Sequence, residues 1–396
     1  MPSVRVLSLD QVATILSSLD NEELLTSQAR AFQAYSANET QTPHRSTLQT
    51  PAHATLIMPS RIDTQTSVIK VVSVPKTDSK DGLPGVTLVM DNSTGEPRGL
   101  VNARLLTALR TAAGSALATR AVFTTKSTRE HRPLTLAVFG SGAQAKAHIQ
   151  LLVHAVPQIA KVVICNRTLP RAQELIKELQ SQYGGIDLCA FSTSTGESAG
   201  SPLNTGMSNP KHQLQSIVQA ADIICTCTNT REPLFHGEWV KPGAHINMVG
   251  SFTPEMHEVD QVLIQRAYTL VDAKKECEEE AGELIQAIKE SGYDGIIAEL
   301  GQLYDQNGSF QADRLPSQLG ALASLVSTSS TLSSVDNGQE PMVTNKAAKS
   351  GSAATMVSHR DVTIFKSVGI AAQDVAITAL VLDKAEIASV GSVVDI

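Results

Sequence analysis

The 396-residue chain has few aromatic residues, few cysteines and no excess of basic charge. Phe, Trp and Tyr make up only 4% of the sequence, which leaves few rings for stacking single-stranded bases. Lys and Arg number 32 against 39 Asp and Glu, a formal charge of -7, whereas nucleic acids and anionic membranes are bound by basic surfaces. We therefore expect neither a nucleic-acid nor a membrane partner.

The sequence also has no pattern typical of disulfides, membrane spans or a secretory leader peptide. The five cysteines form no CxxC pair, which is typical of reduced thiols in a cytosolic protein. No run reaches 18 apolar residues, and residues 1–16 lack the apolar stretch of a secretory signal. The sequence therefore predicts a cytoplasmic protein whose length corresponds to about two domains.

The N-terminal third of the chain predicts a helix, then short strands, then a long helix. Val12 and Ile15 lie at helical spacing after Ser8, which is a suitable N-cap residue. Glycine-containing turns near 81–82 and 94–95 separate β-rich segments. The predicted strands cover residues 55–59, 67–74 and 86–90, and an alanine-rich helix covers 105–122.

From residue 134 onward, apolar strands alternate with helices. Continuous apolar strands of this kind are typical of a parallel sheet that is covered on both faces. The sequence therefore predicts a doubly wound α/β domain. Its predicted strands are 134–139, 161–166, 221–226, 245–249 and 269–272, and its first helices are 143–156 and 170–183.

Two polar segments interrupt this alternation. In residues 192–210, 15 of 19 residues are Ser, Thr, Asn, Gly or Pro, and in 324–334, 8 of 11 are Ser or Thr. Such composition buries too little apolar surface to offset the entropy of ordering, so we expect mobile surface insertions. The charge-rich segment 274–283 is typical of a solvated helix face rather than a metal site.

A glycine-rich turn follows the first strand of the α/β region. It reads Gly140-Ser141-Gly142-Ala143-Gln144-Ala145 and fits the GxGxxG/A pattern between a predicted strand and a predicted helix. The first glycine permits the tight turn, the second lets the backbone approach a pyrophosphate, and the helix N-terminus faces the phosphates. This context predicts dinucleotide binding.

The end of the next strand distinguishes NADP from NAD. An NAD site would carry an acidic residue there for the ribose 2′-hydroxyl, but this chain has Asn166-Arg167-Thr168. A guanidinium can grip a 2′-phosphate in bidentate fashion, so NADPH is favoured over NAD. Thr168 can also serve as a helix N-cap before Pro170.

Motifs outside the glycine-rich turn give the chain a family resemblance. With these motifs the chain resembles the ornithine cyclodeaminase/mu-crystallin family along most of its length. The matching stretches are His44-Arg45-Ser46, Met58-Pro59, residues 69–73, 82–85 and 106–113, the turn at 140–145, Asn247-Met248-Val249-Gly250 and residues 361–369.

The resemblance implies a two-domain architecture. The expected fold is α/β, with a Rossmann domain and a second α+β domain for substrate binding and dimerisation. Residues 1–118, completed by 357–396, would form the second of these. Residues 119–356 would form the NAD(P)-binding domain, with polar insertions at about 192–212 and 316–355. Family members bind a nicotinamide dinucleotide and act on α-amino acids or imines, and a homodimer is expected.

Three cations are the candidate substrate-binding residues. An α-imino or α-amino carboxylate needs cations, and Arg45 and Arg110 offer two guanidinium forks. Lys70 stands in an apolar run, where a charge is unfavourable without a partner or a task, although an edge-strand lysine would also fit. The resemblance assigns the carboxylate to both arginines and an active-site role, as acid/base or orienting group, to Lys70.

Further cofactor contacts are expected near the ends of other strands and on the long helix. Thr226 ends a strand in a region that lines the cofactor in Rossmann folds. The resemblance adds Val249, Thr111 and Ser367, the last from a motif beside the nicotinamide. No metal site is expected, because His148 and His154 do not share a helix face at ligand spacing.

One residue departs from the cyclodeaminase pattern. Phe252 occupies the place of an Asp that the family's cyclodeaminases carry as a polar partner of the substrate amine. We therefore expect an NADPH-dependent reductase of cyclic ketimines. Ornithine or lysine cyclodeamination stays an alternative, as does a non-catalytic NADPH- or ligand-binding protein. The candidates nearby for a substitute carboxylate or proton donor are Glu255, His257, Glu258 and Asp260.

Overall fold

Two β-sheets organise the computed structural model, which describes residues 3–62, 66–76, 83–124, 132–200, 209–319 and 360–395. The first sheet has seven strands in the order β16-β1-β6-β5-β4-β3-β2, and its neighbours are antiparallel except β1 and β6. Its strands are β1 (Ser3–Leu7), β2 (Ser46–Gln49), β3 (His53–Arg61), β4 (Thr66–Pro75), β5 (Gly85–Asp91), β6 (Pro97–Asn102) and β16 (Ser392–Asp395).

The second sheet has nine strands in the order β10-β9-β8-β7-β11-β12-β15-β13-β14, all parallel except β10. This arrangement confirms the predicted doubly wound α/β fold. Its strands are β7 (Leu134–Phe139), β8 (Ile159–Asn166), β9 (Asp187–Ser192), β10 (Ser198–Gly200), β11 (Ile223–Thr226), β12 (His245–Met248), β13 (Ala267–Val271), β14 (Ile296–Glu299) and β15 (Val362–Lys366).

Ten α-helices cover these sheets in the described part of the chain. Ser8 caps the first helix in a capping box with Gln11, as its position predicts. The second helix was not predicted; Asp20 caps it, and its buried side includes Phe32. The helices are α1 (Leu9–Ser17), α2 (Asn21–Ser36), α3 (Arg104–Thr124), α4 (Ala143–Ala155), α5 (Leu169–Gln180), α6 (Pro210–Ala220), α7 (Gln261–Gln265), α8 (Lys274–Glu280), α9 (Gly282–Ser291) and α10 (Ala371–Ile387).

Helices α3 and α10 bring the two sheets together. Helix α3 is buried along most of its length and packs against α4 and α2. Gly114 allows the ring of Phe32 to approach, since a Cβ there would lie 3.0 Å from the ring. Helix α10 packs on β3 and β4 of the first sheet. No helix in the described ranges is long and apolar enough to cross a membrane.

The structure differs from the sequence expectations at two places. Strand β15 belongs to the second sheet, so the chain returns to the first sheet only after residue 366, later than the predicted boundary at 357. The polar segment at 192–212 is not loop throughout, because β10 pairs with β9 as a hairpin. Residues 201–208 and 320–355, including the Ser/Thr-rich stretch at 324–334, lie outside the described residues.

Candidate active site between the two sheets

A cavity of about 660 Å³ opens at the carboxyl ends of the parallel strands. It lies where the strand order reverses between β7 and β11, the position at which doubly wound sheets bind ligands. Its other wall comes from β3, β4, α3 and the segment after β15. Among the predicted site residues, the wall contains Arg45, Lys70, Arg110, Thr111, Gly140, Ser141, Gly142, Ala143, Gln144, Asn166, Arg167, Thr168, Val249 and Ser367.

The glycine-rich turn has the geometry that a pyrophosphate requires. Gly140 adopts φ +115°, and a Cβ at this position would lie 2.9 Å from the carbonyl oxygen of Cys227. Gly142 is the N-cap of α4, makes no side-chain cap hydrogen bond and faces open space. The first backbone N–H groups of α4 therefore have no side-chain acceptor. Because these N–H groups can donate to an anion, the turn fits a dinucleotide phosphate.

Polar and cationic side chains surround the end of β8. The Asn166 amide donates to the Thr168 carbonyl oxygen at 2.8 Å, and this bond shapes the turn into α5. Thr168 occupies the N-cap position of α5, but its side chain makes no cap hydrogen bond. Arg167 lines the cavity, and so does Arg171 from the first turn of α5, which the sequence reasoning missed.

The prediction for Thr226 is corrected by its surroundings. Its side chain is fully buried, donates to Glu258 at 2.8 Å and does not line the cavity. The residues directly after it line the cavity instead, from Cys227 to Thr230. Glu258 also accepts from the backbone N–H groups of Thr228 and Gly250. Its carboxylate therefore joins the loops that contain Thr228 and Gly250. It does not take the place of the missing Asp.

The hydroxyls of Thr111 and Ser367 make bonds within the protein. The Thr111 hydroxyl donates to the Thr107 carbonyl oxygen at 2.9 Å, and that of Ser367 donates to Asp272 at 2.7 Å. Asp272 also accepts from the Gly369 N–H, and its burial raises its pKa. In this arrangement the protons of both hydroxyls are donated within the protein, and the two oxygens keep lone pairs that can accept from a cofactor.

Lys70 forms a buried ion pair with a residue far along the chain. Its Nζ lies 2.8 Å from Oδ1 of Asp374 in helix α10, and the two side chains are 1% and 2% exposed. Burial lowers the pKa of Lys70 to about 8, and the Asp374 charge opposes this lowering. Lys70 is therefore an amine that can hold or release a proton near neutral pH at the cavity wall.

Arg110 is held beside this pair. Its Nη1 donates to Gln373 at 3.1 Å, and its Nε lies 3.6 Å from Oδ1 of Asp374. Gly369 packs directly against the guanidinium, where a Cβ would collide with the Nη atoms, and its φ of +85° also favours glycine. In the described part of the chain, the buried Nε of Arg110 and Oδ2 of Asp374 have no hydrogen-bond partner.

Arg45 completes the cationic wall. Its Nε donates to Oε1 of Glu280 at 2.9 Å, and its Nη2 forms an ion pair with Oε2 of the same carboxylate. Burial lowers the pKa of Arg45, as does the nearby charge of Arg110. The three predicted substrate-binding cations therefore line one cavity.

The cavity wall also includes apolar side chains, and its described part lacks acidic groups. Phe252 lines the cavity, as its place in the sequence suggested, and β3 and β4 add Met58 and Val72. No Asp or Glu is among the described lining residues, whereas cations are numerous. Those cations are Arg45, Lys70, Arg104, Arg110, Arg167 and Arg171.

A thiol and imidazole group lies beneath the glycine-rich turn. His148, Cys225 and Cys227 each place one ligand atom within 4.8 Å of the others. His148 Nδ1 lies 2.8 Å from the Gln144 carbonyl oxygen, and its Nε2 lies 3.0 Å from the Ser115 hydroxyl. Burial raises the pKa of the Cys227 thiol well above its usual value, so this thiol keeps its proton. The absence of a metal site stays a prediction.

Comparisons with known proteins agree with this architecture. The sequence model of the ornithine cyclodeaminase/mu-crystallin family matches residues 5–201 and 209–389. A Delta(1)-pyrroline-2-carboxylate reductase of Bacillus cereus is 30% identical over 376 residues, 93% of this chain and 94% of the relative. The ketimine reductase mu-crystallin of Rattus norvegicus is 30% identical over 237 residues, 59% of this chain and 64% of the relative.

A solved structure shares the fold along nearly the whole chain. It is that of the Thermococcus litoralis Delta(1)-pyrroline-2-carboxylate reductase in complex with NADH and L-proline. The TM-score is 0.72 at 23% identity, covering 98% of this chain and 99% of the other. An archaeal alanine dehydrogenase dimer with bound NAD gives a TM-score of 0.69 at 19% identity, covering 100% and 99% of the two chains.

Proposed function

The chain belongs to the ornithine cyclodeaminase/mu-crystallin family, and on that premise we propose that it reduces cyclic α-imino acids with NADPH. The substrate class is that of Δ1-pyrroline-2-carboxylate or Δ1-piperideine-2-carboxylate, and the product is proline or pipecolate. The observation that carries the proposal is a buried lysine that lines the same cavity as two arginines, with no Asp or Glu among the described lining residues. When bound, the cofactor supplies the hydride that C2 of the imino acid receives.

The residues of this chain have distinct parts in that reaction. Arg45 and Arg110 bind the substrate carboxylate, since a guanidinium fork matches a carboxylate in charge and shape. Lys70 donates a hydrogen bond or a proton to the imine nitrogen, for which a pKa of about 8 is suitable. The apolar wall around Phe252 and Met58 excludes water and packs the ring.

Preference for NADPH is supported by the side chains at the end of β8. No acidic residue stands at the position that would bind a ribose 2′-hydroxyl, and Arg167 and Arg171 line that end of the cavity. Replacing Arg167 with Ala should raise the KM for NADPH about tenfold or more and leave that for NADH nearly unchanged. An equal rise for both cofactors would refute the assignment to the 2′-phosphate.

The charge of the substrate distinguishes this proposal from cyclodeamination of ornithine or lysine. Those substrates carry a second ammonium group, which is best paired with a carboxylate, whereas no Asp or Glu lines the described cavity and Phe252 stands where the family's cyclodeaminases carry an Asp. Purified protein should consume NADPH, followed by its absorbance, when it is given Δ1-pyrroline-2-carboxylate. Ammonia release from ornithine without NADPH consumption would overturn the proposal. NADPH binding without turnover of five- and six-membered ring imines would favour a binding protein instead.

We also infer a homodimer formed through the outer face of the first sheet. Ile69, Leu88 and Leu100 lie side by side in register on neighbouring strands, and Ile69 and Leu100 are more than one-third exposed. A second copy of the chain would cover this apolar row. Leu100→Glu should convert a dimer into a monomer in sedimentation equilibrium, and a monomeric unaltered protein would refute the inference.

A further inference from the structure

Glu280 holds Arg45 from outside the cavity. It is the last residue of helix α8, and its side chain is 13% exposed. The carboxylate faces the Nε and Nη2 atoms of Arg45, which is the side edge of the guanidinium. Glu280 itself is not part of the cavity wall, whereas Arg45 is. The carboxylate therefore stands behind the arginine rather than in the space for a ligand.

This pairing leaves the end of the guanidinium available to a ligand. An arginine has five N–H donors in a planar fork, and a side-on carboxylate occupies only the Nε edge. In the described ranges, no residue accepts from Nη1 of Arg45. A guanidinium fixed along one edge presents the other edge in a defined direction, and this lowers the entropy lost when a substrate carboxylate binds.

The two arginines of the site are anchored to different parts of the fold. Arg110 is held by Gln373 and Asp374 of α10, which packs on the first sheet. Arg45 precedes the edge strand β2 of the first sheet, but its partner Glu280 follows β13 of the second sheet. The ion pair thus joins the two halves of the molecule at the carboxylate-binding wall.

We propose that Glu280 is a positioning residue that orients Arg45 toward the substrate carboxylate. This inference rests on the proposed function, because it needs a carboxylate-bearing substrate. It also assigns a task to one residue of the charge-rich segment at 274–283. Glu278 and Glu279, its neighbours in α8, are exposed. Among the glutamates of this helix, the last one is the one that pairs with a cation of the cavity wall.

The test compares Glu280→Ala with Glu279→Ala, which removes the same side chain from the adjacent exposed position. Steady-state kinetics with Δ1-pyrroline-2-carboxylate and saturating NADPH should give a KM about tenfold higher for Glu280→Ala, with kcat changed less than about twofold. Glu279→Ala should behave as the unaltered protein. Glu280→Gln, which retains an acceptor for Nε, should recover part of the loss.

A binding measurement separates positioning from general damage. Calorimetric titration of L-proline into the NADPH complex should show weaker binding for Glu280→Ala, with the affinity for NADPH unchanged. Unchanged or lower KM in Glu280→Ala would overturn the inference, as would an equal loss of NADPH affinity. The unaltered protein is assayed before the variants. If it does not reduce the imine, the proposed function is wrong, whereas a reductase in which Glu280→Ala has no effect on KM contradicts only the role given to Glu280.

Discussion

Replacing Asp374 with Asn tests whether the buried ion pair controls the proton on Lys70. The two charged atoms are 2.8 Å apart, and both side chains are almost completely buried. Burial is the largest effect that lowers the pKa of Lys70, and the charges of Arg110 and Arg45 add to it. The negative charge of Asp374 acts in the opposite direction. Asn keeps an acceptor of the same size without the charge, so the pKa of Lys70 should fall.

The size of this shift follows from the distance between the charges. At an effective dielectric constant of about 20, unit charges about 3 Å apart attract by about 6 kcal/mol. One pKa unit corresponds to about 1.4 kcal/mol, so the attraction bounds the shift at about four units. The retained carbonyl still accepts from the ammonium and reduces the loss. We therefore expect a fall of at least about one unit, from a pKa of about 8.

The assay is the pH dependence of kcat/KM for imine reduction at saturating NADPH. If protonated Lys70 is the active form, the rate of the unaltered protein falls as the pH rises through about 8. In Asp374→Asn the same fall should occur at least about one pH unit lower. Lys70→Arg, which stays charged throughout, should lack this fall and thus identify the titrating group. A fall that stays at the same pH in Asp374→Asn would refute the reasoning.

Five more substitutions, at four positions, test the turn and the cavity wall. Gly140→Ala should lower the midpoint temperature of thermal unfolding, because φ is +115° and the Cβ would meet a carbonyl oxygen at 2.9 Å. Gly142→Ala, whose Cβ meets no atom within 4 Å, should keep that midpoint but weaken NADPH binding. An equal fall of the midpoint in both variants would contradict this reasoning. Arg110→Lys should lower kcat/KM about tenfold to a hundredfold, because a fork becomes a point charge, and steady-state kinetics would show an unchanged value if Arg110 does not bind the carboxylate. Phe252→Asp should raise the KM for the imino acid and permit calorimetric binding of ornithine, whereas Phe252→Leu should not; no ornithine binding by Phe252→Asp would count against the role given to the wall.

The parallel sheet could be predicted from sequence because its strands carry a local signal. Strand β7 begins and ends where its apolar run does, at Leu134 and Phe139, and the glycine-rich turn follows directly. Such strands are buried on both faces, so a continuous apolar composition is enough to predict them. Helix α2 was missed, because its buried residues, including Leu24 and Phe32, are spread among polar ones. Its burial depends on α3 and α10, which the local pattern does not contain.

The partners of the predicted cations could not be found in this way. Asp374 is 304 positions from Lys70, and Glu280 is 235 positions from Arg45. Neither carboxylate belongs to a motif with its cation, and each lies on a helix that only the tertiary fold brings beside that cation. Thr226 shows the converse error, since its place at a strand end predicted a cofactor contact. Its hydroxyl is instead taken by Glu258, which lies 32 positions away.

The location of the carboxylates, rather than their number, gives the cavity wall its cationic character. The chain as a whole is acidic, with a formal charge of -7. Yet Asp374 and Glu280, which pair with Lys70 and Arg45, both lie outside the cavity wall, while the cations line it. The two carboxylates thereby stabilise buried cations, while no Asp or Glu among the described lining residues could pair with a second ammonium group. A monocarboxylate whose single nitrogen approaches Lys70 fits this arrangement, whereas a diamino acid brings a second positive charge for which the described wall has no carboxylate.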